Sequence, residues 1–185
     1  LKEYEDGYFH EASIGVNKAI LYLSGKLFDE VSKDKDLNCF YSMGAGAAYY
    51  FAKKRNVFFY EQNRFSSIIN KALISLYGKP YKFNEKFEEA EVSFSAPPFG
   101  LKVRDGYNPV GIFAPLNEDD ESKLIKDVHS KLIYLSHVNT KNTTIAITNL
   151  GTLWTKNNGI NYFRKLIIEN NWLDAVIKLP SNIMS

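Results

Sequence analysis

Short runs of branched and aromatic residues alternate along this chain with stretches whose apolar residues recur every three or four positions. That alternation constrains the fold more than any other feature, because it fits strands covered by helices and little else. Strands are expected at 37–41, 57–60, 91–95, 143–149 and 173–179. Val16, Ile20, Leu23, Leu27 and Val31 step at helical spacing, which predicts a helix over 11–31. A second helix is expected over 47–54. Phe65, Ile68, Ile69, Ala72, Leu73 and Leu76 mark a third, closed by Gly78. Leu124, Ile125, Val128, Leu132 and Leu135 mark a fourth, and 160–169 a fifth. Helices between successive strands imply a parallel sheet with helices on both faces, an α/β doubly wound, Rossmann-like layer. Residues 100–121 carry Gly, Pro, Asn and charge without periodicity and read as a long loop.

The chain has 185 residues, enough for one domain, and no linker or repeat divides it, so 1–185 is expected to be a single domain. Its 45% hydrophobic and 24% charged residues exclude a disordered or collagen-like chain. Lys and Arg number 23 against 21 Asp and Glu, too even a balance to identify a nucleic-acid binder by charge. No apolar run reaches the ~18 residues of a membrane span, so no membrane partner is expected. The single Cys39 excludes an internal disulfide and a cysteine-rich zinc site, and fits a reducing, cytoplasmic setting. His10, His129 and His137 lack partners at metal-ligand spacing, so no metal is expected. A start at Leu1 and a stop at Ser185 read as a piece of something longer.

Three places carry residues suited to chemistry. Gly44-Ala45-Gly46 follows the first strand and opens a helix, where glycine lets a ligand approach the backbone. The same turn also serves as a tight strand-to-helix connection. Glu61 directly follows the second strand, where an acid in doubly wound folds accepts hydrogen bonds from ribose hydroxyls. A helix-terminal charge is the plainer alternative. Ser95-Ala96-Pro97-Pro98-Phe99 ends the third strand in a stiff turn that presents an aromatic ring at the carboxyl end of the sheet. A strand terminator is the plainer alternative there too.

In order, the glycine turn, Tyr60-Glu61-Gln62-Asn63, Leu76-Tyr77-Gly78, Ala96-Pro97-Pro98-Phe99, and Phe163-Arg164-Lys165-Leu166 through Val176-Ile177-Lys178-Leu179-Pro180 follow one another. This series resembles the catalytic domain of adenine-specific DNA methyltransferases, and within them the modification subunit of type I restriction systems. The resemblance implies methyl transfer from S-adenosylmethionine to the exocyclic amine of adenine in DNA, with the base flipped into the pocket. It implies that Phe99 stacks on the base and that the Pro97 carbonyl accepts from the amine beside Pro98. Gly44 and Gly46 would approach the cofactor and Glu61 would hold its ribose. Gly7-Tyr8-Phe9-His10-Glu11 resembles the cofactor-rim block, with Phe9 at the rim. DNA and the recognition and restriction subunits of such a system are the implied partners.

The departures from that pattern point one way. Ala96 stands where the family has Asn or Asp, and has no side-chain hydrogen-bonding group. Phe40 stands where an acid is usual, and His10-Glu11 where Thr-Pro is usual. Ser95 is expected on the opposite face of its strand from Ala96 and so makes no substitute acceptor. Ala96→Asn is expected to raise activity if the cofactor binds. The alternative function is a catalytically silent domain serving as a structural or nucleotide-binding partner. The family also ends on an antiparallel strand beside 173–179 that this chain is too short to form, so a truncated sheet with a bare edge is expected. Tyr49, Tyr50 and Phe51 read as packing residues, Lys102 and Arg104 as solvated loop charges, and 118–121 as an acidic helix N-terminal cluster that would repel DNA.

Overall fold

A computed structural model describes residues 16–32, 36–42, 47–61, 64–76, 81–83, 89–97, 121, 124–125 and 127–180. The first helix, α1 (Lys18–Val31), begins later than its apolar spacing predicts. Asn17 sets the start, because its Oδ1 accepts from the Ala19 amide at 2.8 Å and so satisfies a free helix-end donor. Then follow β1 (Asp36–Ser42), α2 (Ala47–Ala52), β2 (Asn56–Tyr60), α3 (Arg64–Ser75), β3 (Tyr81–Phe83) and β4 (Ala90–Ala96). The chain continues through α4 (Val128–Val138), β5 (Thr140–Ala146), α5 (Gly151–Trp154) and α6 (Asn158–Glu169).

The strands form a five-stranded sheet in the order β3-β2-β1-β4-β5, and every pairing is parallel. This is the α/β, Rossmann-like layer that the alternation predicts. Its faces are sorted by the two-residue period of the strands. Leu37 and Cys39, Val57 and Phe59, and Val92, Phe94 and Ala96 point into one core layer, packed beneath α1, α2 and Ile74 of α3. Phe40 and Tyr60 point into the other, beneath α4 and α6. A parallel sheet buried on both sides takes residues of both parities out of water. β2 reads as a near-continuous apolar run, whereas β1 and β4 interleave their apolar residues with Asn38, Ser93 and Ser95.

Beneath α4 the second layer is partly polar. Ser93 Oγ lies 2.8 Å from Thr144 Oγ1 and 3.1 Å from Ser136 Oγ, and Asn38 donates to the Asn139 carbonyl at 3.3 Å. Small hydroxyl side chains let the helix approach the sheet closely while keeping their polar atoms paired.

The structure corrects the strand assignments at the C-terminal end. The expected strand at 143–149 starts at Thr140 and ends at Ala146, because α4 closes at Asn139 and β4 pairs Ala90 with Thr140. Its first residues are polar and half-exposed, so no apolar signal announced them. The segment 173–179, expected as a strand, belongs to no strand at all. Leu173, Val176 and Ile177 are 46%, 57% and 56% exposed, so composition favoured a strand that finds no partner among the described residues. β5 is therefore the edge of the described sheet. β3 and α5 are short additions that sequence periodicity did not reveal.

Candidate functional site

In this strand order the chain leaves β1 toward β2 on one side, while β4 pairs with β1 on the other. The β1–β4 boundary is thus a topological switch point, where open α/β sheets leave a crevice at their carboxyl edge. Ser42, the last residue of β1, pairs with Ala96, the last residue of β4. The register shifts between Phe40 and Ser42, so the two strands depart from regular pairing as they reach that edge. Phe40 pairs with Tyr60 on the other side, which sets Glu61 beside the end of β1. Glu61 and Ala96 therefore flank β1 at one level, two strand spacings or about 10 Å apart.

Of the residues expected to hold the cofactor or the base, Glu61, Ala96 and Pro97 fall within the described structure, and all lie at this edge. Phe9, Gly44, Gly46, Pro98 and Phe99 lie outside the described residues, as do Lys102 and Arg104. The flanks of the glycine turn are fixed, with β1 ending at Ser42 and α2 starting at Ala47.

The edge is uneven in what it offers a ligand. Glu61 is 8% exposed, a largely buried carboxylate at the end of β2. An acceptor held there suits the hydroxyl groups of a nucleoside. Ala96, by contrast, has no exposure and packs into the layer beneath α1 and α2. Phe40 is 1% exposed and stacks on Tyr60 with ring centroids 4.7 Å apart and planes within 14°. Core packing thus occupies both positions where the resemblance leads one to expect a polar group. Ser95 is fully buried and its Oγ has no hydrogen-bond partner among the described residues. Strand alternation turns it to the face opposite Ala96, as expected. Its carbonyl accepts from Ile147 N–H at 2.8 Å and ties the exit of β5 to that of β4.

A polar cluster that sequence reasoning missed stands at the carboxyl end of β5. His129 Nε2 lies 2.9 Å from Thr148 Oγ1, which lies 2.6 Å from Thr152 Oγ1. Asp127 caps α4 by accepting from the Ser130 amide at 2.8 Å and its hydroxyl at 2.7 Å. The apolar spacing from Leu124 put Asp127 inside the helix, and the cap instead starts it at Val128; the histidine contact joins residues on separate elements and was not legible either. Nearby, Arg164 donates to the Thr152 carbonyl at 2.9 Å and the Thr155 carbonyl at 2.8 Å, fastening α5 to α6. Tyr162 donates to Glu121. Tyr49 and Tyr50 pack against the first layer, and Phe51 is buried in it.

Among the described residues, no three His, Cys, Asp or Glu side chains come together in a group able to hold a metal ion. Among them, too, no helix is long and apolar enough to cross a membrane. No protein family matches the chain, and comparison with curated proteins and with solved structures returns no match.

Proposed function

We propose that the carboxyl edge of this sheet binds S-adenosylmethionine and that the chain acts in methyl transfer to the exocyclic amine of adenine in DNA. The observation that carries this proposal is the pairing of Glu61 and the Ala96-Pro97 turn on either side of the β1 terminus at the switch point. Glu61 accepts hydrogen bonds from the ribose. The Pro97 carbonyl accepts from the adenine amine, and Phe99 stacks on the flipped base. When bound, S-adenosylmethionine supplies an electrophilic methyl group. The chain's contribution is to orient the amine toward it and to exclude water, so catalysis rests on positioning rather than on a proton relay. A cytoplasmic modification complex with recognition and restriction subunits is the setting this activity fits.

A second proposal has its own support. The full burial of Ala96 and the Phe40–Tyr60 stack favour a domain that binds the nucleoside end of the cofactor without turning it over. Loss of one hydrogen bond to a reacting group costs about 100- to 1000-fold in rate.

Calorimetry with S-adenosylmethionine, followed by incorporation of a labelled methyl group into adenine-containing DNA, separates the two. Binding with turnover supports the transferase, and binding without turnover supports the silent partner. Glu61→Gln is expected to weaken cofactor binding about tenfold, the loss of roughly one charge-assisted hydrogen bond. An unchanged affinity in that variant overturns the assignment of the cofactor edge.

A further inference from the structure

A separate cavity of about 280 Å³ opens between α1 and α2, at the opposite end of the strands from Glu61. Its position follows from Arg55, which immediately precedes β2, whereas Glu61 immediately follows it. Arg55 and Glu61 are thus about 20 Å apart at ~3.3 Å per residue. Lys26, Lys53, Lys54 and Arg55 line the cavity, and Asp29 is the acid among them. That acid is already matched, by Arg55 Nη2 at 3.1 Å and Lys54 Nζ at 3.4 Å. The arginine and lysine beside it hold its carboxyl below the usual range, against the opposing effect of burial. The lining thus carries four cations and one acid.

Aromatic rings stand among these charges. Lys26 Nζ lies 5.7 Å from the centroid of Tyr22, and Lys53 Nζ lies 5.2 Å from Tyr49 and 5.8 Å from Tyr50. Tyr22 is 59% exposed, so part of its surface faces solvent. Gly25 widens the floor between α1 and α2, since a Cβ there would already touch Tyr50 and Phe51 at 3.9 Å.

We infer that this groove binds a nucleotide unit, its phosphate held by the lysines and its base stacked on Tyr22. The volume lies just below the ~300–1,000 Å³ usual for ligand pockets, so at most one such unit occupies it. Cations that track phosphates and rings that accept any base are the elements of sequence-tolerant single-strand binding. A free mononucleotide and a nucleotide within a strand present the same chemistry to it.

The test uses fluorescein-labelled decathymidylate, followed by anisotropy over a range of salt. One variant replaces Lys26, Lys53 and Lys54 with serine; all are exposed, and Arg55 stays in place. A second variant is Tyr22→Leu. The unaltered chain is expected to bind with an affinity that falls as salt rises. The lysine variant is expected to lose at least about tenfold and to flatten the salt slope by about 0.7, the share of one phosphate contact. Tyr22→Leu is expected to lose about fivefold or more with the slope unchanged. Displacement of the probe by AMP assigns a free nucleotide as the source, and failure of AMP to displace it assigns the strand. No binding by the unaltered chain, or an unchanged affinity and slope in the lysine variant, overturns the inference. Displacement by polyglutamate with no effect of Tyr22→Leu also overturns it, in favour of an acidic peptide. Binding of S-adenosylmethionine is expected to survive both variants, so this groove and the carboxyl edge fail or hold independently.

Discussion

Ala96 shows how far one side chain decides what the carboxyl edge can do. From the sequence it is a missing acceptor, and Asn looks like its repair. In the fold its Cβ is sealed in an apolar layer with Phe94 and Val92 on the same strand face. An amide there is buried without an arranged partner, which costs about 1–3 kcal/mol. Ala96→Asn is therefore expected to lower the unfolding free energy measured in urea by that much and to leave methyl transfer no faster. A stable variant with raised transfer would show that the side chain reaches the crevice. Glu61 is the reverse case, because its type and its place just past β2 were both legible. Its level with Ala96 was not, since that depends on which strands flank β1.

At the scale of elements, stability depends on caps, fasteners and close packing between helices. Gly25 lies within α1, where glycine is about 1 kcal/mol worse than alanine. An added methyl would meet Tyr50 and Phe51 at ordinary contact distance. Gly25→Ala is thus expected to raise stability by about 0.5–1 kcal/mol, checked by chemical denaturation. Arg164 acts across elements, with its guanidinium donating to two carbonyls at the end of α5. Arg164→Ala is expected to cost about 1–2 kcal/mol and to increase hydrogen exchange in α5 before the strands are affected. The apolar spacing identified α6 but gave no sign of α5, whose four residues are too few to show a period. Segment 173–179 shows the opposite error. Its composition suits a strand, yet strand formation requires a neighbour with free backbone groups, and composition does not supply one.

Across the whole molecule, the response to pH includes a contribution from the seam between α4 and the segment after α6. His137, in the last turn of α4, lies with its ring centroid 4.6 Å from that of Trp172. Burial holds its pKa below the ordinary 6.5, outweighing the pull of the helix C-terminus toward the cation. The unfolded chain then takes up a proton that the folded chain refuses. This contribution is intact above pH 6.5, is lost as pH falls below that value, and levels off below the folded pKa. Unfolding free energies measured in urea between about pH 7.5 and 5.5 are expected to drop more for the unaltered chain than for His137→Gln, by no more than about 1.4 kcal/mol per pH unit. Equal drops would remove His137 from the account.

The sequence by itself determined the fold class and most of the elements, because burial on two faces forces apolar runs in strands and apolar stripes on helices. It also marked Glu61 and the Ala96-Pro97 turn, since chain order alone puts a residue at the end of a strand. Tertiary structure alone decided the order β3-β2-β1-β4-β5, the start of β5 at Thr140 and the exclusion of 173–179 from the sheet. It also decided that Ala96 and Phe40 belong to the core, and that Lys26 of α1 and Lys53 after α2 line one groove. These are contacts between residues far apart in the chain, and no local period or propensity records which distant segment a side chain will face.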